Sequence, residues 1–164
     1  MVRDYGGQGY EGGSSWTRGQ TWGLYGFTLS FLHTGDRAYL ETAERIANYF
    51  IANIPESGLI PVDFRQPEDV TWEDSTAAAI AACGLIELAK LHEGRQQKLY
   101  LDAALKLLRA LADHRLNWDE NEDNLLTKCT GAYHDKEHEF SIIYGDYYFL
   151  EALMKLTGQE LFIW

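Results

Sequence analysis

The chain repeats a pattern of two helices separated by a glycine, and this repeat constrains the fold more than any other feature. The stretch GFTLSFLHTGDRAYLETA, which starts at Gly26, aligns with GLIELAKLHEGRQQKLYLDAA, which starts at Gly84. In each copy one helical stretch ends at a glycine, and a second helix follows with Tyr-Leu in its first half. The segment LEALMKLTGQELF, close to the end of the chain, begins a third copy. A period of about 60 residues fits helical hairpins that are joined by long loops.

Apolar residues follow helical spacing in several segments of the chain. These segments are residues 15–33, 36–54, 75–93, 95–114 and 141–157. Gly35 and Gly158 are placed to end two of the helices, and Asp36 and either Asp74 or Ser75 are candidate N-caps. Residues 1–13 are rich in glycine and predict a loop, while GLIPVDF at 58–64 is only a weak strand signal. We therefore predict an all-α fold.

The composition limits both the class of protein and the kinds of partner that this chain can have. The chain has 164 residues and is 46% hydrophobic, which is typical of one folded globular domain. It carries 14 basic and 25 acidic residues, so its net charge of -11 argues against nucleic acid and anionic membrane surfaces as partners. We find neither a signal peptide nor an apolar run long enough to span a bilayer, and we expect a cytoplasmic location.

Neither the cysteines nor the histidines indicate a metal site or a disulfide framework. Cys83 lies in an apolar helical segment, where a buried, reduced thiol is expected. The histidines lack the spacing of common zinc motifs. His134 and His138 are four residues apart but lie among charged residues, which favours a solvated loop over a metal site. The residues therefore give no signal for a metal site.

The first helix has an unusual composition, SSWTRGQTWGLYGF from Ser14 to Phe27. Its three glycines form one stripe, and because each weakens a helix by roughly 1 kcal/mol, the stripe suggests that a neighbouring backbone or a ligand approaches closely. Arg18, Trp22 and Tyr25 form a second stripe at positions i, i+4 and i+7. A guanidinium can bind a carboxylate through two nitrogens, and an indole can stack on a sugar ring. We expect both groups to face one open cavity that suits an anionic carbohydrate.

A structural role for the same residues is equally consistent with the spacing. Arg18 could instead stack on Trp22 and pair with an acidic neighbour. Asp146, inside the aromatic run YGDYYF, is interpreted as a buried carboxylate that pairs with an arginine such as Arg18, in preference to a catalytic acid. Asp74 and Ser75 are interpreted as a helix cap rather than as chemical groups.

Four stretches of the chain resemble the second half of the unsaturated glucuronyl hydrolases, glycoside hydrolase family 88. They are QGYEGGSSWTRGQTWGLYGF, LHTGDRAYLETAERIANYFIANIP, EDSTAAAIAACGLIELAKL and IIYGDYYFLEALMKL. The WxRGQxW and YGDYYFLEAL motifs are the most specific. Relatives that act on unsaturated rhamnogalacturonan usually carry asparagine where this chain has Gln20.

The resemblance implies an (α/α)6 barrel of six helical hairpins and an unusual hydrolytic reaction. The family hydrates the C4=C5 double bond of an unsaturated uronic acid, and the hemiketal that forms then opens and releases the sugar. The substrates are unsaturated glucuronyl oligosaccharides left by polysaccharide lyases, and no cofactor takes part. Gln8, Arg18 and Trp22 match family positions that contact the unsaturated sugar. The TGAYHDKEHEFS loop departs from the usual family pattern and leaves the acceptor sugar and its sulfation open.

The same resemblance places the family's catalytic aspartates upstream of this stretch. We therefore assign no catalytic residue and expect the isolated chain to be inactive. Residues 1–164 are interpreted as a single partial domain, the second half of the barrel, which forms an incomplete half-toroid. Because a half ring exposes apolar helix edges, we expect a homodimer or other self-association through the open edge. Two alternatives stay open: a non-catalytic module that binds acidic sugars or serves as a structural α/α repeat, and a fragment of an unsaturated rhamnogalacturonyl hydrolase.

Overall fold

The computed structural model describes residues 7–159, and within this range the chain forms five α-helices and no β-strand. The helices are α1 Thr17–Thr34, α2 Arg37–Ala52, α3 Ser75–Lys90, α4 Gly94–His114 and α5 Ile143–Thr157. The all-α prediction is confirmed. The weak strand signal at 58–64 corresponds only to isolated bridges, in which Pro61 pairs with Glu73 and Asp63 pairs with Trp16.

The helices pack as two hairpins and a further helix around α3. Helix α1 packs against α2 and α3, and α3 also packs against α4 and α5. Every residue of α3 from Ser75 to Ala89 is buried, because its sequence STAAAIAACGLIELAK is small or apolar on all faces except at Glu87, which lies in an ion pair with Lys155. By contrast, α2 and α4 each bury a single stripe and expose a polar face. Helices α1, α3 and α5 thus form a central layer that α2 and α4 cover, which confirms the predicted helical hairpins.

Several helix ends follow the local signals, whereas the start of α1 does not. Gly35 adopts a φ of 71° and its N–H donates to the Phe31 carbonyl, while Asp36 caps α2 by accepting from the Ala38 N–H at 2.9 Å. Gly158 ends α5 with a φ of 68°. Helix α1 begins at Thr17 rather than at 15, because the Ser15 carbonyl accepts from the Phe64 N–H at 3.1 Å. Tertiary pairing with residues 61–64 therefore delays the start of the helix.

The three glycines of the α1 stripe have different surroundings. A Cβ atom at Gly23 would lie 3.0 Å from Cδ1 of Ile46 in α2. At Gly19 it would meet the ring of Trp16, which precedes the same helix, and at Gly26 it would meet nothing within 4 Å. No neighbouring backbone approaches the stripe, because the atoms near Gly19 and Gly23 belong to side chains, so the backbone interpretation is wrong. The alternative of a ligand contact stays a prediction. A close backbone approach between helices lies in α3, where a Cβ at Gly84 would be 3.2 Å from the Tyr25 Cα.

Both cysteines are buried and free, which confirms the prediction for Cys83. The described helices include none that is both long and apolar enough to cross a membrane. Within residues 7–159, no three His, Cys, Asp or Glu side chains are grouped to hold a metal ion. The first six residues of the predicted glycine-rich loop and the end of the third repeat, residues 160–164, lie outside the described part of the chain.

Candidate functional site

Arg18 lies buried at the start of α1, in an ion pair with Asp74. The Nε of Arg18 donates to Oδ2 of Asp74 at 2.9 Å, and the side chains are only 6% and 0% exposed. The Nη2 of Arg18 donates to the carbonyl oxygens of Thr130 and of Gly131, the latter at 2.9 Å. The guanidinium also lies 5.5 Å from the ring centroid of Trp16. These contacts hold the plane of the guanidinium between α1, the start of α3 and the loop that precedes α5.

This environment has opposing effects on the pKa of Asp74. Burial raises the pKa of Asp74, and the neighbouring Arg18 and the backbone amides of Thr130 and Thr76 oppose that effect. The Thr76 N–H donates to Oδ1 of Asp74 at 3.2 Å, so Asp74 is the N-cap of α3, as predicted. Its second role, as the partner of Arg18, was not predicted.

Gln8 meets Arg18 at the carbonyl of Gly131. The Nε2 of Gln8 donates to this oxygen at 3.4 Å, and the Gln8 carbonyl accepts from the Tyr133 N–H at 2.8 Å. The structure therefore brings together two of the three residues that the family resemblance assigns to the sugar, although they are ten positions apart in the sequence.

The loop at 131–139 contacts the glycine-rich loop, although residues 134–137 are exposed to solvent. The Nε2 of His134 donates to the Tyr10 carbonyl at 2.8 Å, and Tyr10 packs edge-on against Tyr133. The His138 ring stacks on Trp72 with 3.7 Å between ring centroids. The prediction of a solvated loop is therefore wrong for His138, which is half-buried, because aromatic residues distant in sequence cover it.

Trp22 lies one turn further along α1, at the edge of an apolar cavity of about 290 Å³. Tyr25, Gly26 and Leu29 of α1 line this cavity together with Tyr148 of α5. The Trp22 ring is 36% exposed and contacts Tyr148 edge-on, with 5.4 Å between ring centroids. Arg18 is not among the residues that line this cavity. The indole lines this cavity, whereas the guanidinium is held in a buried ion pair. The expectation that both groups face one open cavity is therefore not met at this cavity, and their shared contact with a sugar stays a prediction.

Below the cavity, a buried polar network joins α1, α3 and α5. The Tyr25 hydroxyl donates to Oε1 of Glu151 at 2.6 Å, and Lys155 bridges Glu151 and Glu87 with Nζ–Oε1 distances of 3.5 and 2.7 Å. Burial and the hydrogen bond to Glu151 raise the pKa of Tyr25. Burial also raises the pKa of Tyr148 to about 12. Both phenols are therefore neutral hydrogen-bonding groups at physiological pH.

Asp146 does not pair with Arg18, so that interpretation is also wrong. Its Oδ1 accepts from the backbone N–H groups of Leu125 and Leu126 at 3.1 and 2.8 Å. Asp146 is buried, as expected, but backbone amides rather than a guanidinium satisfy its charge. The sequence contains no periodic signal for this contact, because it joins a helix to an irregular loop.

Comparison with proteins of known structure identifies the class of protein that shares this fold. No family model matches it. A solved structure of a variant unsaturated glucuronyl hydrolase with the oligosaccharide dGlcA-Glc-Rha-Glc superposes with a TM-score of 0.85 and 37% identity, over 94% of this chain and 42% of that one. The fold is therefore that of the α/α-barrel glycoside hydrolases.

Sequence relatives define the family within this class. The chain is 41% identical to the unsaturated glucuronyl hydrolase of Bacillus sp. (strain GL1) over 155 residues, and 35% identical to the unsaturated chondroitin disaccharide hydrolase of Streptococcus pneumoniae over 163 residues. These alignments cover 91% and 96% of the chain. By sequence and by fold, the chain belongs with the unsaturated glucuronyl hydrolases. It spans 41% of the length of each of these two relatives.

Proposed function

We propose that this chain supplies one wall of the sugar pocket of an unsaturated glucuronyl hydrolase. The complete protein would hydrate the C4=C5 double bond of an unsaturated uronic acid and thereby release it from an oligosaccharide. Gln8, Arg18 and Trp22 would contact the unsaturated sugar. The observation that carries the proposal is the convergence of Gln8 and Arg18 on the Gly131 carbonyl, one helical turn from the half-exposed indole of Trp22.

Each of these residues can contribute a distinct interaction. Within residues 7–159 the hydrogen bonds of Arg18 use Nε and Nη2, so Nη1 is left to donate to a uronate carboxylate. The exposed edge of Trp22 can pack against the apolar face of a sugar ring, and the Gln8 side chain can reach a ring hydroxyl. Together they would bind a small anionic sugar although the whole chain is acidic, because the recognition is local.

We further propose that the isolated chain binds but does not turn over its ligand. Proton donation to the double bond needs a carboxylic acid that is free to face the substrate. Three carboxylates of this region are each engaged internally: Asp74 by Arg18, Asp146 by two backbone amides, and Glu151 by Tyr25 and Lys155. These groups are therefore poor candidates for the catalytic acid.

Calorimetric titration with an unsaturated chondroitin disaccharide tests the binding proposal. We expect measurable binding to the chain and at least about tenfold weaker binding to Arg18→Ala, since one charged hydrogen bond to a carboxylate contributes roughly 1.5–3 kcal/mol. Arg109→Ala is the matched control, because Arg109 lies on the exposed face of α4. Equal affinities for the two variants would contradict the role of Arg18. Loss of the ultraviolet absorbance of the double bond, beyond that of a protein-free sample, would contradict the absence of turnover.

One observation favours the alternative of a structural α/α-repeat module. Arg18 is only 5% exposed and has an internal partner, as an arginine with a purely structural role would. In that case the disaccharide would not bind to the chain at all. The remaining alternative is a fragment of an unsaturated rhamnogalacturonyl hydrolase, and an unsaturated rhamnogalacturonan disaccharide tests it as a second ligand. Because this chain carries Gln20, we expect it to bind that sugar more weakly than the chondroitin disaccharide.

The cytoplasmic location stays a prediction that cell fractionation would test.

A further inference from the structure

The carboxylate of Asp74 connects three separate segments of the chain. Its Oδ2 accepts from Arg18 Nε of α1 at 2.9 Å. Its Oδ1 accepts from the Thr76 N–H in the first turn of α3 at 3.2 Å and from the Thr130 N–H of the following loop at 3.4 Å. Because the side chain is 0% exposed, water does not compete for these contacts. One buried anion thus joins α1, α3 and the loop at the place where Arg18 and Gln8 meet.

The ion pair determines which part of the guanidinium can bind a ligand. Asp74 occupies Nε, and the Thr130 and Gly131 carbonyls occupy Nη2. A two-nitrogen fork, which the sequence suggested for carboxylate recognition, needs an adjacent pair of free nitrogens. Only Nη1 has no hydrogen bond to the described residues. The guanidinium can therefore offer a single nitrogen, and its orientation is set before any ligand arrives.

We propose that Asp74 is a positioning residue, which holds Arg18 so that Nη1 alone binds the uronate carboxylate. This inference rests on the proposed function. Asp74 also neutralises the charge of Arg18 locally, so that the site selects its ligand by the placement of one donor rather than by a net positive charge. A side chain held in place in this way loses little conformational entropy on binding, which strengthens the complex.

A double-mutant cycle tests whether Asp74 acts through Arg18. Asp74→Asn keeps the size of the side chain and its ability to cap a helix but removes the ion pair. We expect it to weaken binding of the unsaturated chondroitin disaccharide by about tenfold, and we expect Arg18→Ala combined with Asp74→Asn to bind no more weakly than Arg18→Ala alone. Asp36→Asn is the matched control, because Asp36 caps α2 without an arginine partner. Unchanged or tighter binding to Asp74→Asn, or additive losses in the double variant, would overturn the proposal.

A measurement without ligand separates this proposal from the proposed function. In a ¹⁵N-correlated NMR spectrum, the Arg18 Nε–H signal, identified by its loss in Arg18→Lys, should exchange slowly with water in the wild type. It should move and exchange faster in Asp74→Asn but remain unchanged in Asp36→Asn. An unchanged Arg18 signal in a folded Asp74→Asn variant overturns the positioning role even if the sugar binds. If the wild type binds no disaccharide, the proposed binding function fails, while this spectrum still decides the role of Asp74.

Circular dichroism establishes that each variant is folded before it is compared. Should Asp74→Asn fail to fold, Asp74→Ser serves as a second variant, because serine also caps helices but cannot form the ion pair. It is expected to change the Arg18 signal and the affinity in the same directions, and the opposite result would count against the proposal.

Discussion

At the scale of single residues, buried carboxylates organise the irregular parts of the chain. Asp63 is completely buried and accepts hydrogen bonds from the backbone N–H groups of Tyr10, Ser15 and Arg65 and from the Ser14 hydroxyl, at distances of 2.6 to 3.1 Å. These contacts fold the glycine-rich loop next to Gln8. Gly9 is needed there, since a Cβ atom would lie 2.7 Å from Oδ2 of Asp63.

Replacing Asp63 by alanine should therefore destabilise the fold. The change leaves three backbone amides without their partner, and we expect a loss of about 3 kcal/mol in the free energy of unfolding. Asp69→Ala, at an exposed position of the loop between α2 and α3, should change it by less than about 0.5 kcal/mol. Urea denaturation measures both values, and a similar small effect for the two variants would show that Asp63 does not organise the loop.

The burial of the two cysteine thiols leads to a second prediction for single residues. Burial raises the pKa of both Cys83 and Cys129, and the charge of Glu151 raises that of Cys83 further. A raised pKa means less thiolate at a given pH, and thiolate is the reactive form. We expect neither cysteine to react with Ellman's reagent at pH 8 in the native protein, and both to react in denaturant. Rapid reaction of either thiol in the native state would contradict the burial.

At the scale of helices, the close contact of α1 with α3 depends on one glycine. A Cβ at Gly84 would lie 2.9 Å from Cγ of Leu24 and 3.2 Å from Cα of Tyr25, whereas the same atom at Gly26 would meet nothing within 4 Å. A backbone cannot give way as a long side chain can, so the two glycines have different consequences although both lie inside helices.

Alanine substitutions should thus have opposite signs at these positions. Gly84→Ala should lower the free energy of unfolding by about 1–3 kcal/mol, because it overpacks the α1–α3 contact. Gly26→Ala should raise it by up to about 1 kcal/mol, because alanine favours the helix and meets no obstacle. Thermal unfolding of the two variants measures both changes in stability. A stabilised Gly84→Ala variant would be inconsistent with the close approach of α1 to α3 at Gly84.

The contact of α3 with α5 depends instead on a buried ion pair. Lys155 of α5 and Glu87 of α3 are 3% and 6% exposed, with an Nζ–Oε1 distance of 2.7 Å. Lys155→Met would leave Glu87 and Glu151 without their shared cation, and we expect a loss of about 3–5 kcal/mol in stability. Lys98→Met is the control, because its pair with Asp102 is exposed and should contribute less than about 1 kcal/mol. Equal losses in urea denaturation would contradict the importance of burial.

At the scale of the whole molecule, α5 leaves an apolar face uncovered. The exposed large side chains of this helix are Ile143, Tyr144, Tyr147, Leu150, Leu153, Met154 and Leu156. A group of exposed apolar side chains on one helix is typical of an interaction site. We propose that, in the isolated chain, this face mediates the self-association that the half-ring arrangement predicts.

Light scattering after size-exclusion chromatography tests this proposal. We expect a mass of a dimer or larger, against 18.7 kDa for one chain. Leu150→Lys combined with Leu153→Lys should give the monomer, because both lie on the exposed face of α5. Leu99→Lys, at an exposed position of the outer helix α4, should leave the mass unchanged. A wild-type monomer at high concentration would rule out this form of association.

The helical hairpins and several of the helix ends could be predicted from the sequence. Helical periodicity predicts the five helices, and capping at Asp36, Asp74 and Gly158 depends only on neighbouring residues. The pairing of Arg18 could not be predicted in this way. Asp74 and Asp146 are both acidic and both buried, and local sequence does not distinguish them as partners.

By itself, the amino-acid sequence determined the all-α architecture, its division into hairpins and the residues that match the hydrolase family, because these depend on local spacing and on side-chain identity. Only the tertiary structure decided that Arg18 pairs with Asp74, that Gly84 rather than the stripe of α1 carries a close backbone approach between helices, and that Trp22 and Arg18 have separate environments. Each of these depends on which distant segments meet, and the packing of the helices around α3 decides that.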